Sequence, residues 1–258
     1  TQGAAAAPPE NRAPRILDLS ALWAGPLTSH LMQLAGAEII KIESKGRPDG
    51  MRDGDPDFFA LLNQGKASLA LDFYAQEDRA LLRRLIGAAD IVIEASRPRA
   101  LLNLGFDADV IVREQPGLVW LTITAHGSRG DASEWVGFGD DCGVAAGLSA
   151  AMRAASGVSG FVGDAIGDPL TGLHAALTGW TAWCNGAGGR YAFPLRGVAQ
   201  KALQAEQEAN PTALDRSLKV WAAARGARFP AVVRRPVTQP VAAFGADNAR
   251  ILSVLPPC

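Results

Sequence analysis

Two aspartates near the start of a predicted helix are the strongest candidates for chemistry in this sequence. In the segment GDAIGDPLTG, residues 163–172, Asp164 and Asp168 stand directly before a long apolar stretch. An aspartate followed by proline, as in Asp168-Pro169, is typical of a helix N-cap and the first helical residue. The amides and dipole of a helix start also favour an ionised carboxylate, which is a competent nucleophile towards an activated acyl group. The pattern leaves both roles open for Asp168, and the two are compatible.

The three histidines show no spacing that predicts a metal site. His30 and His174 fall inside apolar stretches predicted to be helical, which favours packed structural roles. His126 follows a predicted strand directly, in the sequence TAHG, and this position suits ligand binding as well as a structural role. The familiar catalytic and nucleotide-binding motifs are absent: no GxGxxG, P-loop, GxSxG or HExxH occurs. Trp23 stands in the first turn, where a dinucleotide-binding fold would have glycine.

The elements that would position these residues alternate between strands and helices. Residues 16–19 and 38–43 read as strands, and a turn with Pro26 and a helix ending at Gly36 lie between them. Further strands are predicted over 68–72, 90–94 and 119–124, with a helix over 76–87. This alternation predicts an α/β fold with a Rossmann-like, open, mostly parallel sheet and helices on both faces. Ligands of such sheets bind beyond the carboxyl ends of the strands, which directs attention to the loops after residues 19, 43 and 94.

The remainder of the chain is predicted to be mainly helical. Helices are expected over 169–183, 194–208 and 210–225, with a break at the glycines of 186–189 and a Pro- and Arg-rich tail over 229–240. The first 14 residues, rich in Ala and Pro, read as a flexible lead-in or linker.

The composition excludes several classes of function. Of the 258 residues, 25 are Lys or Arg and 26 are Asp or Glu, so the chain has no basic excess for nucleic acid or an anionic membrane. No apolar run is long enough to span a bilayer. The three cysteines, Cys142, Cys184 and Cys258, are odd in number and far apart, which fits a reduced, cytoplasmic protein rather than a disulfide framework.

Several segments together resemble family III CoA-transferases. That family includes formyl-CoA transferase and the carnitine-related CoA-transferases, with the α-methylacyl-CoA racemases as relatives. Residues 237–252 resemble the closing segment of the family. Each segment is weakly specific by itself, whereas all of them in order form a specific signal. The matching segments are ILDLSALWAGP (16–26), GAEIIKIES (36–44), NQGKASLALD (63–72), ADIVIEASRPRAL (89–101) and GDAIGDPLTGL (163–173).

The resemblance implies a Rossmann-like CoA-binding domain formed from both ends of the chain. The nucleophile of the family is the aspartate of a D-x-x-[TSG]-G motif, which falls on Asp168, with Asp164 as the rival if the local match slips. This aspartate would move CoA from an acyl-CoA to a free carboxylic acid through an aspartyl anhydride and an aspartyl-CoA thioester. CoA is then a substrate, and neither a metal nor a separate cofactor is required.

The resemblance also implies residues that contact CoA. Trp23 and Ala24 lie in the turn that approaches CoA in this family, and Leu71 matches the apolar position near the nucleotide. Arg97 is the candidate for a phosphate contact, although a solvated loop arginine is an equally open interpretation. His126 is a further candidate for substrate binding.

The sequence departs from the family in two respects. Racemases of this superfamily place a histidine in the loop equivalent to residues 137–140, and none stands there, which argues against racemisation. Full members also carry a smaller second domain, for which residues 202–228 are too short. We therefore expect a lead-in at 1–14, a CoA-binding domain at 15–200, and a helical and closing segment at 201–258 that packs back on it.

This shortening leaves two functions open. The chain is either a transferase or a non-catalytic CoA-binding or interaction subunit that supports a full-length partner. In both cases we expect a homo- or hetero-oligomer.

Overall fold

A six-stranded parallel sheet carries the fold. The computed structural model of the protein describes residues 1–224 and 235–254. The strands are β1 (Arg15–Leu19), β2 (Glu38–Ser44), β3 (Ala67–Leu71), β4 (Ile91–Glu94), β5 (Val119–Thr124) and β6 (Gly189–Pro194). They lie in the order β3-β2-β1-β4-β5-β6, and the pairs from β3 to β5 are parallel. The predicted α/β, Rossmann-like parallel sheet is confirmed.

Helices follow most of the strands, and two 3₁₀ turns occur at Gly50–Asp53 and Gly130–Ser133. Among the described residues, no helix is both long and apolar enough to cross a membrane. The helices are α1 (Ala24–Leu34), α2 (Pro56–Asn63), α3 (Gln76–Gly87), α4 (Pro98–Asn103), α5 (Ala108–Glu114), α6 (Gly139–Ala145), α7 (Leu148–Ser156), α8 (Gly167–Cys184), α9 (Leu195–Ala209), α10 (Pro211–Ala224) and α11 (Asn248–Val254).

The chain divides into two compact units, each assembled from separate segments. The first unit comprises Thr1–Ile123, Gly172–Ala192 and Pro236–Cys258, and the second comprises Thr124–Thr171 and Phe193–Arg235. These units group residues by packing, whereas the boundaries expected from the sequence assign functional roles. The division into 1–14, 15–200 and 201–258 therefore stays a prediction.

The core of the first unit lies along the central strands. All residues of β4 and β5 are buried, which explains their nearly continuous apolar sequences, because central parallel strands are covered on both faces. Trp120 of β5 is fully buried among aliphatic side chains. Ile251 of α11 packs into the same cluster, so the closing segment contributes to this core.

The closing segment also supplies hydrogen-bond partners to the edge strand β3. The Asn248 side chain donates to the carbonyl of Ala70 at 2.9 Å and accepts from its amide at 3.0 Å. The Asp247 carboxylate accepts from the amide of Ser68 at 2.8 Å. Because β3 is an edge strand, these side chains take the place of the missing neighbour.

The second unit is a helical cluster with its own small core. Ala146 and Leu148 pack against Ala199 and Leu203 of α9, and Met152 of α7 packs with two residues of α10. Glycines in the left-handed region flank α7, and Gly157, with φ of 75°, ends it as a typical C-cap.

Two elements differ from the sequence predictions. The sequence predicts a glycine break over 186–189 and a helix from residue 194, but Gly189 donates to the carbonyl of Leu118 at 2.8 Å and begins β6. Its short sequence carries little strand signal, because its pairing partner is distant in the chain. Pro26 is the third residue of α1 rather than the first. The end of the helix predicted to reach residue 225 and the first part of the tail over 229–240 lie outside the described residues.

The first residues make defined backbone contacts. The amides of Gly3 and Ala6 donate to the carbonyls of Gly188 and Gly186, each at 3.0 Å, and the carbonyl of Ala4 accepts from Gly117 at 2.9 Å. Composition predicted a flexible lead-in here, and these hydrogen bonds join the segment to the first unit.

Candidate active site

Asp168 lies in the first turn of α8, in the second unit. It is the second residue of the helix, so the prediction that it caps the helix from outside is wrong. Its side chain is half-buried, whereas Asp164 is exposed in the preceding loop. The Asp168 amide donates to the carbonyl of Ala165 at 2.8 Å, and the Ala165 amide donates to the Asp140 carboxylate at 2.9 Å. These bonds hold the loop immediately before the carboxylate.

A glycine lets the backbone approach Asp168 closely. A Cβ atom on Gly139 would lie 2.3 Å from the Asp168 Oδ2 and 2.3 Å from the Ala165 carbonyl oxygen. Both distances are far below a van der Waals contact, so any larger residue at 139 would displace the carboxylate or its loop. The start of α6 thus forms one wall beside Asp168.

His126 lies at the end of β5 and faces the segment before α6. Its Nε2 is 3.9 Å from the Asp141 Oδ2, and its ring packs edge-on against Trp135. A Cβ on Gly137 would be 2.8 Å from the same Nε2. An imidazole is therefore present beside the segment 137–140 although no histidine belongs to it. The argument against racemisation stays a prediction.

Cys142 is buried beside the same residues and is a poor nucleophile. Its Sγ donates to the carbonyl of Ala125 at 3.4 Å. Burial, and then the charges of Asp141 and Asp168, raise the pKa of the Cys142 thiol to about 12. The thiolate is the reactive form of cysteine, so this environment suppresses reactivity at neutral pH.

We expect iodoacetamide at pH 8 to modify Cys184 in the folded protein and to leave Cys142 unmodified. Cys184 is exposed and Cys142 is fully buried and protonated. Peptide mapping by mass spectrometry measures each site separately, including Cys258, which lies outside the described residues. Unfolded protein serves as the control, in which both should react. Alkylation of Cys142 in the folded state at a rate close to that of Cys184 would contradict the prediction.

The other predicted binding residues belong to the first unit. Trp23 precedes α1, is half-buried and packs edge-on against Phe58 with ring centroids 4.9 Å apart. Ala24 is buried, and its carbonyl accepts from the Thr28 hydroxyl at 2.8 Å. The turn is thus fixed by its own helix.

Leu71 and Arg97 differ in accessibility. Leu71 ends β3 with 1% of its surface exposed and belongs to the core, so its side chain offers packing rather than an open contact. Arg97 directly precedes α4 and is exposed. Parallel strands end at the same edge of the sheet, and the residues at the ends of β1, β3 and β4 therefore lie at that edge. The predicted residues there are Trp23, Ala24, Leu71 and Arg97, all in the first unit. Asp168 and His126 belong to the second unit.

A buried ionic network beneath the turn was not predicted from the sequence. The Lys66 ammonium lies 3.1 Å from the Asp18 carboxylate and donates to the Ser29 hydroxyl at 2.7 Å and the Pro26 carbonyl at 3.0 Å. Burial alone would raise the pKa of Asp18, but the nearby ammonium groups and hydroxyls outweigh it and hold that pKa well below its usual range. Burial lowers the pKa of Lys66 to about 8 despite the attraction of Asp18.

A second buried pair completes this network. The Lys41 ammonium lies 2.8 Å from the Asp49 carboxylate and donates to the Ser20 carbonyl at 3.0 Å. Asp49 also accepts from the amide of Leu22, a residue with φ of 67°. Charged residues within the apolar strands β1 and β2 were the sequence signal for this network, because buried charged groups require partners.

Comparison with known proteins shows which family the chain belongs to. The sequence profile described as CoA-transferase family III matches residues 14–187, so the chain belongs to that family. It is similar to succinyl-CoA–D-citramalate CoA-transferase of Chloroflexus aurantiacus, with 31% identity over 63% of this chain and 42% of that protein. It is similar also to formyl-CoA:oxalate CoA-transferase of Afipia carboxidovorans, with 30% identity over 63% of this chain and 40% of that protein.

A solved structure gives the same result for the fold. The hypothetical protein Rv3272 of Mycobacterium tuberculosis superposes with a TM-score of 0.68 and 26% identity, over 80% of this chain and 60% of that one. The chain spans about two fifths of the length of the two curated relatives named above.

Proposed function

We propose that this chain moves CoA between an acyl-CoA donor and a free carboxylic acid, with Asp168 as the nucleophile. The observation that carries this proposal is the half-buried Asp168 carboxylate in the first turn of α8, with its loop held by Asp140 and its wall formed by Gly139. Asp164, the rival, is exposed and stands outside the helix. Membership of CoA-transferase family III supports the reaction class.

The chemistry is a sequence of acyl exchanges on one carboxylate. The Asp168 carboxylate attacks the donor thioester and releases CoA thiolate, which leaves a mixed anhydride. The thiolate attacks the aspartyl carbonyl of that anhydride, expels the donor carboxylate and leaves an aspartyl-CoA thioester. The acceptor carboxylate then attacks this thioester, releases CoA thiolate and forms a second anhydride. CoA attacks the acceptor carbonyl and regenerates Asp168, so no redox partner is consumed.

The proposed CoA contacts follow from accessibility and chemistry. The exposed guanidinium of Arg97 suits a phosphate, which arginine binds through paired donors. The half-buried indole of Trp23 offers an apolar surface at the turn, supported by the buried Ala24 and Leu71. His126 offers an imidazole in the second unit. Each of these assignments is part of the proposal.

The helical residues after 201 favour a second candidate function. In place of the family's smaller domain, the residues after 201 form the rest of α9 and α10, which pack in the helical second unit. A non-catalytic CoA-binding or interaction subunit that supports a longer partner fits this arrangement. A cytoplasmic location and a homo- or hetero-oligomer stay predictions under both functions.

Trapping of the covalent intermediate tests the proposal. We expect exposure to a panel of acyl-CoAs, followed by a hydroxylamine quench, to leave a hydroxamate that peptide mapping places on Asp168. Anhydrides and thioesters react with hydroxylamine, whereas an unmodified carboxylate does not. A hydroxamate on Asp164 would transfer the role to the rival. Measurable CoA binding with no modification by any donor would favour the supporting subunit.

A further inference from the structure

Three potential metal ligands from separate parts of the second unit meet beside Gly137. His126, Asp141 and Cys142 each offer one ligand atom, and these atoms all lie within 4.8 Å of one another. His126 follows β5, and the other two residues belong to the first turn of α6. We propose that these three side chains bind one Zn²⁺ ion.

The three donor atoms converge on one small volume. A Cβ on Gly137 would lie 2.5 Å from the Asp141 Oδ2, 2.8 Å from the His126 Nε2 and 3.0 Å from the Cys142 Sγ. The glycine therefore keeps open the space that all three atoms face. Zinc ligands lie about 2.0–2.3 Å from the ion, so two donors in a tetrahedral site stand roughly 3.3–3.8 Å apart. The three donor atoms, now all within 4.8 Å of one another, therefore need to approach each other by about an ångström.

None of the three donor atoms is engaged in a strong hydrogen bond. The separation of 3.9 Å between the His126 Nε2 and the Asp141 Oδ2 is too long for one. The His126 side chain is 10% exposed, and its Nδ1 is buried without a hydrogen-bond partner among the described residues. Within the described part of the chain, the Cys142 sulfur makes only weak contacts, with the carbonyl of Ala125 at 3.4 Å and with the backbone of Arg196. A nine-tenths buried imidazole whose Nε2 faces two further ligand atoms, and whose Nδ1 has no hydrogen-bond partner among the described residues, indicates a site for a cation.

The backbone fixes the orientation of the carboxylate ligand. The Asp141 Oδ1 accepts from the amide of Phe138 at 2.7 Å, and this bond leaves Oδ2 directed at the common volume. Hydrogen bonds of this kind orient ligands in known metal sites and tune their affinity.

The donor set selects the class of metal. Thiolate, imidazole and carboxylate together suit Zn²⁺, whereas Mg²⁺ and Ca²⁺ prefer oxygen ligands throughout. Binding converts the Cys142 thiol to a thiolate and releases its proton to solvent, so thiolate and carboxylate balance the two charges of the ion. Three protein ligands leave a fourth position for water.

The ion would join the end of β5 to the first turn of α6. That turn contains Gly139, which forms the wall beside Asp168. The proposed CoA transfer requires no metal, so we assign the ion a stabilising role for this segment rather than a step in the reaction. The inference is thus independent of the proposed transfer.

Metal titration of the whole chain tests the site. After treatment with a chelator, the protein is titrated with Zn²⁺ against a chromophoric competitor, and with Co²⁺ to record thiolate-to-metal charge-transfer absorption. We expect one ion per chain, a thiolate band with Co²⁺ and a higher melting temperature with Zn²⁺. Cys142→Ser and His126→Asn should each weaken Zn²⁺ binding by more than roughly 10–100-fold, which is the typical loss when a residue that only hydrogen-bonds to a metal ligand is removed.

Matched controls separate this site from the rest of the surface. Cys184→Ser and His174→Gln change an exposed cysteine and an exposed histidine and should leave the affinity unchanged. Gly137→Ala retains every ligand but fills the common volume, and it should also abolish tight binding. Circular dichroism verifies that each variant is folded.

Because the titration detects the bound metal itself, its result does not depend on whether the protein transfers CoA. Absence of the thiolate band in the folded wild-type protein would overturn the proposal, as would an affinity that Cys142→Ser and Gly137→Ala leave intact. Neither result depends on acyl-CoA, so the assignment of Asp168 stands or falls separately.

Discussion

Replacing Lys66 by methionine is expected to lower the free energy of unfolding by about 3–5 kcal/mol, because it leaves a carboxylate buried without its cation. Lys66 and Asp18 are 1% and 0% exposed, and their charged atoms lie 3.1 Å apart. The other nearby cation, Lys41, also attracts the Asp18 carboxylate, but its direct partner is Asp49 at 2.8 Å. Chemical denaturation followed by fluorescence or circular dichroism measures the difference.

A surface ion pair provides the matched control for this prediction. Lys45 lies 3.2 Å from Asp78, with 52% and 23% of the two side chains exposed. Lys45→Met should change the unfolding free energy by no more than about 1 kcal/mol, as is usual for exposed pairs. The double variant Asp18→Asn/Lys66→Met should recover much of the loss, because it removes the unpaired charge. A loss below about 1 kcal/mol for Lys66→Met alone would contradict the buried network.

The sheet could be predicted from the sequence because its signals are local. β1, β4 and β5 are short apolar runs bounded by turns, and their parallel pairing follows from the helices between them. β6 could not be predicted in this way. Its strand exists through hydrogen bonds such as the one from Gly189 to Leu118, 71 residues away in the sequence, and the local pattern contains no trace of that partner.

The candidate site shows the same division between local and distant signals. The position of Asp168 near a helix start follows from the residues around it, because aspartate and proline favour that region, although α8 begins one residue before Asp168 rather than after it. The pair of Asp18 and Lys66 joins residues 48 positions apart, and the convergence of His126 with Cys142 depends on how the loop between them folds. The close approach of Gly139 to Asp168 likewise requires three-dimensional contact. Sequence patterns identify such residues as polar or small but do not identify their partners.

Asp168→Asn is expected to lower the rate of CoA transfer by on the order of 10⁴-fold or more, the size of loss typical when a covalent nucleophile is removed. An amide has nearly the same shape as the carboxylate, so the asparagine side chain fits beside Gly139 without a steric clash. It is a far weaker nucleophile and does not form the anhydride. The affinity for CoA should therefore stay close to that of the wild-type protein, which separates loss of chemistry from loss of binding.

The neighbouring aspartate supplies the comparison that decides this prediction. Asp164→Asn alters an exposed carboxylate four residues earlier, in the loop before α8, and should retain transfer and the hydroxylamine-trapped adduct. The measurement is the adduct yield per chain after a single exposure to acyl-CoA, together with the dissociation constant for CoA. If Asp164→Asn loses the adduct and Asp168→Asn keeps it, the exposed carboxylate is the nucleophile. The half-buried position at the start of α8 would then serve the helix rather than the reaction, because an aspartate in a first helical turn stabilises the helix through its dipole alone.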